Sequence, residues 1–482
     1  MAINERFSAL KVFPEDYEAL EEDTRYQLSD VDQVIPGCFT IPCLIFPIGE
    51  TADKNRIIEN LQTGLRNTLT CIPLLGGKLH NNPDTNRVEV IRKNHEPIVL
   101  GVHHLDQQGD TFPTYEALAA SGFPSAFFSS NTVNLTPPGS SVNGFRRDDE
   151  CPVAVFQANF IHGGLILTLA LHHMCGDAKS MDHVFSLWAS STKAAMSVQQ
   201  LPSFKPVFDR GYFNAHFIPD ATEVETLKRG VKGFIYLEDD GVDSEVTNEP
   251  PARSETVIQL YHFSVEACHR LKTICSPKER EKYVSTYDCI AAATWRAMTR
   301  ARLPYLGMED MSARTRYTHP VDTRQRFSFS SVEDEYFGNA FIIAVTEPVD
   351  IGYLLSSNGL AAAALAVRKS ILDLTGTSMS DLIHLQRGIT GKQKMVWEWR
   401  RENVMGTSWT AMRLSKAYNF GLGFPRALRI LVPPFEGVCG LLPAAGKDGQ
   451  SDGYDVYVVM EKGCSERMMR DEEYLTYCNL CG

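Results

Sequence analysis

One stretch constrains this chain more than any other. From Gly164 to Leu171 it reads Gly-Leu-Ile-Leu-Thr-Leu-Ala-Leu, apolar at nearly every position. A strand with no polar face has to lie inside a sheet covered on both sides. The run stops at His172-His173-Met174-Cys175-Gly176-Asp177, and beyond it Met181, Val184, Phe185 and Trp188 recur at helical spacing. Two imidazoles and a carboxylate therefore sit where a central strand gives way to a helix. That end of a strand is where α/β sheets collect ligands and catalytic groups.

The same alternation continues elsewhere. Leu61, Leu65, Leu69 and Ile72 predict a helix from Ile57 to Leu75, stopped by Gly76-Gly77, and Arg87 to Ile91 reads as a strand. Val153 to Phe160 predicts the neighbour of the apolar strand, joined to it around His162-Gly163. In the second half, Val257 to Phe263 alternates like a strand. Ser285-Thr286-Tyr287-Asp288 has the form of a capping box opening a helix through Trp295 to Arg302. Phe341 to Val345 and Val456 to Met460 predict strands; Leu360 to Leu374 and Asp381 to Trp399 predict helices. Leu201 to Ser254 differs, with Pro202, Pro206, Pro219, Pro250, Pro251 and the acidic Glu238-Asp239-Asp240, and reads as a crossover. A chain of 482 residues exceeds one core. The expected architecture is an α/β protein of two similar-sized domains, 1–200 and 256–482, with 201–255 between them.

Charge and cysteine content narrow the function. A net charge of −12 argues against binding nucleic acid or anionic membranes through a general field. No apolar run reaches the roughly 18 residues of a membrane helix, and Glu5, Glu15 and Asp16 leave no apolar signal core, so a cytoplasmic location is expected. Among twelve cysteines only Cys478 and Cys481 form a C-x-x-C, and His103-His104 with Asp106 lacks a further ligand nearby, so no metal site is expected. The absence of G-x-S-x-G leaves a nucleophile-elbow hydrolase without support.

H-x-x-x-D occurs three times, at His80/Asp84, His173/Asp177 and His216/Asp220, where chance supplies about one. The first lies in an Asn-Pro turn and the third in the crossover; only the second follows a buried strand and precedes a helix. An imidazole there has the right proton affinity to deprotonate an alcohol or amine at neutral pH. The residues alone equally permit hydrogen-bonded histidines at a strand end. Cys175, inside the motif, reads as a small buried apolar residue rather than a nucleophile. Glu398, Arg400, Arg401 and Glu402, set around Trp397 and Trp399, read as a solvated helix end.

Taken in order, several segments resemble the BAHD acyltransferases, in particular the fungal branch that acylates secondary metabolites, trichothecene acetyltransferases among them. They are Tyr26 to Asp32; Leu61 to Leu79, ending Pro73-Leu74-Leu75-Gly76-Gly77-Lys78-Leu79; His172 to Asp177; Val284 to Arg302; Asp322-Thr323-Arg324; Tyr336-Phe337-Gly338-Asn339-Ala340; Thr407-Ser408-Trp409; and Tyr418 to Pro425. The resemblance implies two chloramphenicol-acetyltransferase-like domains with mixed sheets and an active-site channel between them. It implies His173 as general base, Asp177 turned away and paired with Arg324, and the Trp409 indole as donor to the oxyanion with Thr407 beside it. Ser285 and Thr286 would face the CoA phosphates; Asn419, Gly421 and Gly423 would be structural. The co-substrate would be acyl-CoA, acetyl by default, with no resident cofactor and no metal. The partner would be a small-molecule alcohol or amine, and the protein a monomer. Asn419, Leu422 and Ala178 depart from the usual Asp, Trp and Gly of the pattern. Two rival readings are a condensation-type enzyme drawing on a carrier-bound thioester and a non-catalytic small-molecule-binding relative. Loops such as Phe123 to Phe145 would shape the acceptor pocket.

Overall fold

The apolar run forms the strand Gly164–His172, buried at every position. It lies inside a seven-stranded sheet ordered Phe7–Val12, Ile98–His104, Ala154–Ile161, Gly164–His172, Pro42–Pro47 and Ala427–Ile430, with the short Phe39–Thr40 also paired to it. Pairing is antiparallel except between Ile98–His104 and Ala154–Ile161. Gly163, at φ +73°, makes the tight turn of the central hairpin. This computed structural model describes residues 6–15, 17–18, 22–137, 150–197, 199–238, 255–277, 283–308, 311–326, 334–389, 393–431, 435–446 and 450–481.

The helix after the histidines, Ala178–Met196, starts with Asp177 as its N-cap: Lys179 N and Ser180 N donate to Oδ1 at 3.1 and 3.0 Å. It packs on Lys54–Cys71. A Cβ at Gly64 would come within 2.7 Å of Thr192 N, so glycine permits the close approach, and Trp188 Nε1 donates to Leu61 O at 3.0 Å across it. The helix expected to run to Leu75 ends at Cys71. Pro73 cannot continue the ladder and starts a 3₁₀ turn, Pro73–Gly76.

The second seven-stranded sheet is ordered Phe341–Val345, Tyr317–Asp322, Val404–Ser408, Val438–Ala445, Ser451–Glu461, Thr256–Phe263 and Asn479–Cys481. Val404–Ser408 pairs parallel with both its neighbours and the other pairings are antiparallel, so this sheet is mixed too. Ser285 caps the long helix Thr286–Leu306 with a capping box to Asp288, as its sequence predicts. Leu360 to Leu374 becomes Gly359–Leu372.

One expectation fails outright. Asp381 to Trp399 is not one helix. The helix is Gly376–Gly388, and Gln393–Trp397 is a strand paired antiparallel with Phe234–Glu238. Gly388 closes the helix, and Met395-Val396-Trp397 has residues that favour a half-buried strand. The crossover is likewise more structured than a linker: it holds the 3₁₀ turn Arg210–Phe213, the helix Ala221–Gly230 capped by Asp220, and that strand. Residues 239–254 of it, with Asp239 and Asp240, and 138–145 of the loop from Phe123 lie outside the described residues. The second half also contributes Ala427–Ile430 to the first sheet.

Candidate active site

Where the strand Gly164–His172 ends, the backbone makes a single 3₁₀ turn, His173–Cys175. His173 N donates to Cys38 O, and His173 O accepts from Asn339 Nδ2, both at 2.8 Å. The residue is thus held from both sides of its peptide plane. Its imidazole stands on the wall of a cavity of about 380 Å³ between the two sheets. The Phe341 and Trp397 rings lie 6.0 and 6.3 Å from it. Burial pushes its pKa below the ordinary histidine value; nearby carbonyls and Asp177 oppose that only in part. It is therefore a neutral base at physiological pH.

Asp177 borders the same cavity but is committed elsewhere. Its carboxylate takes a two-pronged bond from Arg324, Nη1 to Oδ2 at 2.8 Å and Nη2 to Oδ1 at 3.0 Å, and a third from Ala340 N at 3.1 Å. Burial alone would raise its pKa, but Arg324 and the backbone N–H groups overcome this and hold it below the usual carboxylate range. Arg324 also donates to the carbonyls of Tyr336 and Gly338 at 3.2 and 3.0 Å. The pair stitches the His173–Cys175 turn to the second domain.

Trp409 and Thr407 reach the same cavity from the strand Val404–Ser408 and the turn after it. Trp409 is 7% exposed, and its Nε1–H is buried with no well-aligned acceptor. Tyr457, on the same wall, lies within its reach: the indole acts to lower the pKa of that phenol, while burial raises it overall. Ser285 and Thr286 stand at the start of Thr286–Leu306 and do not line this cavity. Asn419 Oδ1 accepts from Gly421 N at 2.9 Å, a neutral bond, and Gly421 and Gly423 both adopt φ +84°. Cys175 is buried, and burial drives its thiol pKa upward, which disfavours a nucleophilic thiolate.

A base facing a cavity, a carboxylate committed to Arg324 and an indole N–H on the cavity wall suit acyl transfer. Residues 11–474 match the profile of the Transferase family. The chain is a member of that family, the BAHD-type acyltransferases. The acyltransferase is 24% identical to acyltransferase easC of Emericella nidulans over 95% of its own length and 96% of the relative's. It is 23% identical to the trichothecene 3-O-acetyltransferase TRI101 of Fusarium sporotrichioides, covering 92% and 94% of the two chains. Among solved structures, F. graminearum TRI101 complexed with coenzyme A and T-2 mycotoxin superposes with a TM-score of 0.75 at 21% identity, over 95% of this chain and 100% of that one. Vinorine synthase gives 0.68 at 16%, over 98% of each. The two-domain α/β fold with mixed sheets is therefore that of the family.

Two residues of the site carried no role in the sequence reading. Asp32 Oδ1 accepts from Asn339 N and Nδ2 at 3.1 and 2.9 Å, while its Oδ2 takes Arg210 Nη1 at 2.9 Å. Asn339 in turn holds the His173 carbonyl. The signal available was Ser29-x-x-Asp32, a capping box, which explains Asp32 locally and hides its second use. Trp397, Glu398 and Trp399, expected at a solvated helix end, line the cavity instead. The failed helix expectation is the cause: a strand in place of the helix carries them inward. Among the described residues no helix is long and apolar enough to cross a membrane.

Proposed function

We propose that this acyltransferase moves an acetyl group from acetyl-CoA to a hydroxyl of a secondary metabolite, with His173 as general base. The observation that carries the reading is the division of labour in the motif: His173 faces the cavity as a neutral imidazole, and Asp177 is consumed by Arg324. In this reading His173 takes the hydroxyl proton as the oxygen forms its bond to the thioester carbonyl. Trp409 Nε1–H, which has only Tyr457 beside it, turns to meet the charge that develops on the carbonyl oxygen. The C–S bond then breaks, the imidazolium returns the proton to the CoA thiolate, and no acyl-enzyme forms. Thr407 lines the path, Ser285 and Thr286 serve the phosphate end, and Asn419, Gly421 and Gly423 shape a turn.

The domains take 1–200 and 256–482, with 201–255 as the crossover. Relatives named O-acetyltransferases, such as the eremophilane O-acetyltransferase ORF8 of Penicillium roqueforti at 25% identity, support acetyl transfer to oxygen. Twelve cysteines, none of them in a disulfide among the described residues, fit the reducing cytoplasm. The test is acetyl-CoA turnover with extracts of the producing organism, read by mass spectrometry for a product heavier by one acetyl group. His173→Ala is expected to keep the circular dichroism spectrum and lose transfer by at least about 100-fold; transfer near the wild-type rate would refute the assignment.

A further inference from the structure

The ribbon made by Phe234–Glu238 and Gln393–Trp397 has no part in the chemistry above, yet it closes the cavity beside the base. Phe234 pairs with Trp397 and Ile235 with Val396, and Glu398 N donates to Gly233 O at 2.8 Å. Gly233 sits at φ +86°, and a Cβ there would meet Ile343 Cγ2 at 2.7 Å. Only glycine lets the ribbon lie this close to the strand Phe341–Val345. The approach puts the Trp397 ring 6.1 Å from Phe341 at 85°, edge to face, with both rings on His173. Ile235 and Met395 extend the same apolar wall. These rings therefore border the space next to the base.

The charges on the cavity wall all have partners among the described residues. Asp177 and Asp322 share Arg324. Lys179 faces Asp334 at 4.0 Å, and Glu398 accepts from Arg400 Nε at 2.6 Å. Burial keeps His173 neutral. A carboxylate on the acceptor would meet no free cation there, and an ammonium would meet only half-exposed Asp322, already bonded to Arg324; burying a charge so poorly paired is costly. A neutral hydroxyl loses far less on entering.

We propose that this wall selects the acceptor, that the acceptor class is an uncharged alcohol on a rigid, mainly apolar carbon skeleton, and that Trp397 is a specificity-determining residue holding that skeleton against the base. The inference rests on the acyl-transfer reading given above. It puts the step late in a sequence of reactions, since another enzyme class, an oxygenase or a carbonyl reductase, has to have placed the hydroxyl on the skeleton first.

The test uses the full chain with acetyl-CoA and three matched probes: decalol, decalylamine and a hydroxydecalin carboxylate. The alcohol is expected to exceed both charged probes in kcat/KM by on the order of 100-fold. Trp397→Ala is expected to raise KM for decalol at least about 10-fold, with the acetyl-CoA dissociation constant from calorimetry unchanged. Trp397→Phe should restore most of the loss, and Trp397→Leu, which keeps apolar volume without the ring, should not. If Trp397→Ala does not fold, the Leu and Phe variants and the wild-type probe comparison still decide. Equal turnover of the charged probes, or an unchanged decalol KM without the ring, overturns the inference while leaving acyl transfer intact. Acetyl-CoA binding with no transfer to any probe or to the organism's extracts overturns the acyl-transfer reading, and this inference with it.

Discussion

Replacing Arg324 by Met removes the counter-ion of Asp177 while keeping much of the side chain's length. Arg324 is 2% exposed and Asp177 8%, so neither can turn to bulk water. The variant leaves the carboxylate with three backbone donors, Lys179 N, Ser180 N and Ala340 N, and strips donors from the Tyr336 and Gly338 carbonyls. Breaking a buried pair from one side costs about 3–5 kcal/mol. At 2–4 °C per kcal/mol for a domain of this size, the thermal midpoint should fall by on the order of 10 °C. The pH dependence should change sign as well. In the wild type the Asp177 pKa lies below its ordinary value of about 3.9, so its contribution is complete above about pH 4 and is lost as pH falls through the folded value. Without Arg324, burial dominates and raises that pKa. The protonated form is then favoured in the fold, and stability drops as pH rises from about 4 through the raised value. The assay is the midpoint by circular dichroism from about pH 7 down to about pH 4.5. Acidification should raise the variant's midpoint relative to wild type, and the added change Asp177→Asn should remove that slope and recover part of the loss. A midpoint within about 2 °C of wild type, or no relative rise in acid, would refute the view that this ion pair holds the catalytic turn.

Two further outcomes bear on the chemistry. Because burial lowers the His173 pKa, the neutral base persists below the ordinary value, and kcat/KM should stay flat from neutrality until below about pH 6.5; an acid limb centred at or above neutrality would contradict a buried base. Trp409→Phe keeps an aromatic ring and removes the indole N–H, so kcat should fall by about 100-fold or more with little change in KM for acetyl-CoA; an unaltered kcat would assign the oxyanion donor elsewhere.

How far the sequence carried depended on whether a feature was local. Gly164 to Leu171 has one periodicity and one environment, and it forms the strand it predicts. Ser285 needs only the chain three residues on, and its capping box forms. Trp397 is the opposite case. Its neighbourhood alternates weakly, and it becomes a strand because Phe234–Glu238, from the crossover, supplies the partner. That partner is invisible at a distance in sequence, so Trp397, Glu398 and Trp399 line the cavity where a solvated helix end is expected, while Arg400, Arg401 and Glu402 do not. Asp32 was masked differently. A capping role accounts for it completely at close range, while its bonds to Asn339 and Arg210 span three separate parts of the chain. The Asp177–Arg324 pair was legible through the resemblance, since nothing local ties residues so far apart.

The strand Ala427–Ile430 has a consequence for how the protein is made. It is the partner of Pro42–Pro47, so during synthesis the first sheet keeps an open edge until nearly the whole chain has emerged. Cys43, Leu44, Ile45 and Phe46, fully covered in the finished protein, form the apolar centre of that edge. Open edges of this kind recruit foreign strands. Pro42 and Pro47 bracket it, and because proline brings no N–H to a ladder they shorten the stretch that a stray chain can pair with. The nascent protein thus carries its own guard against premature self-association, one that the closing strand makes unnecessary only at the end.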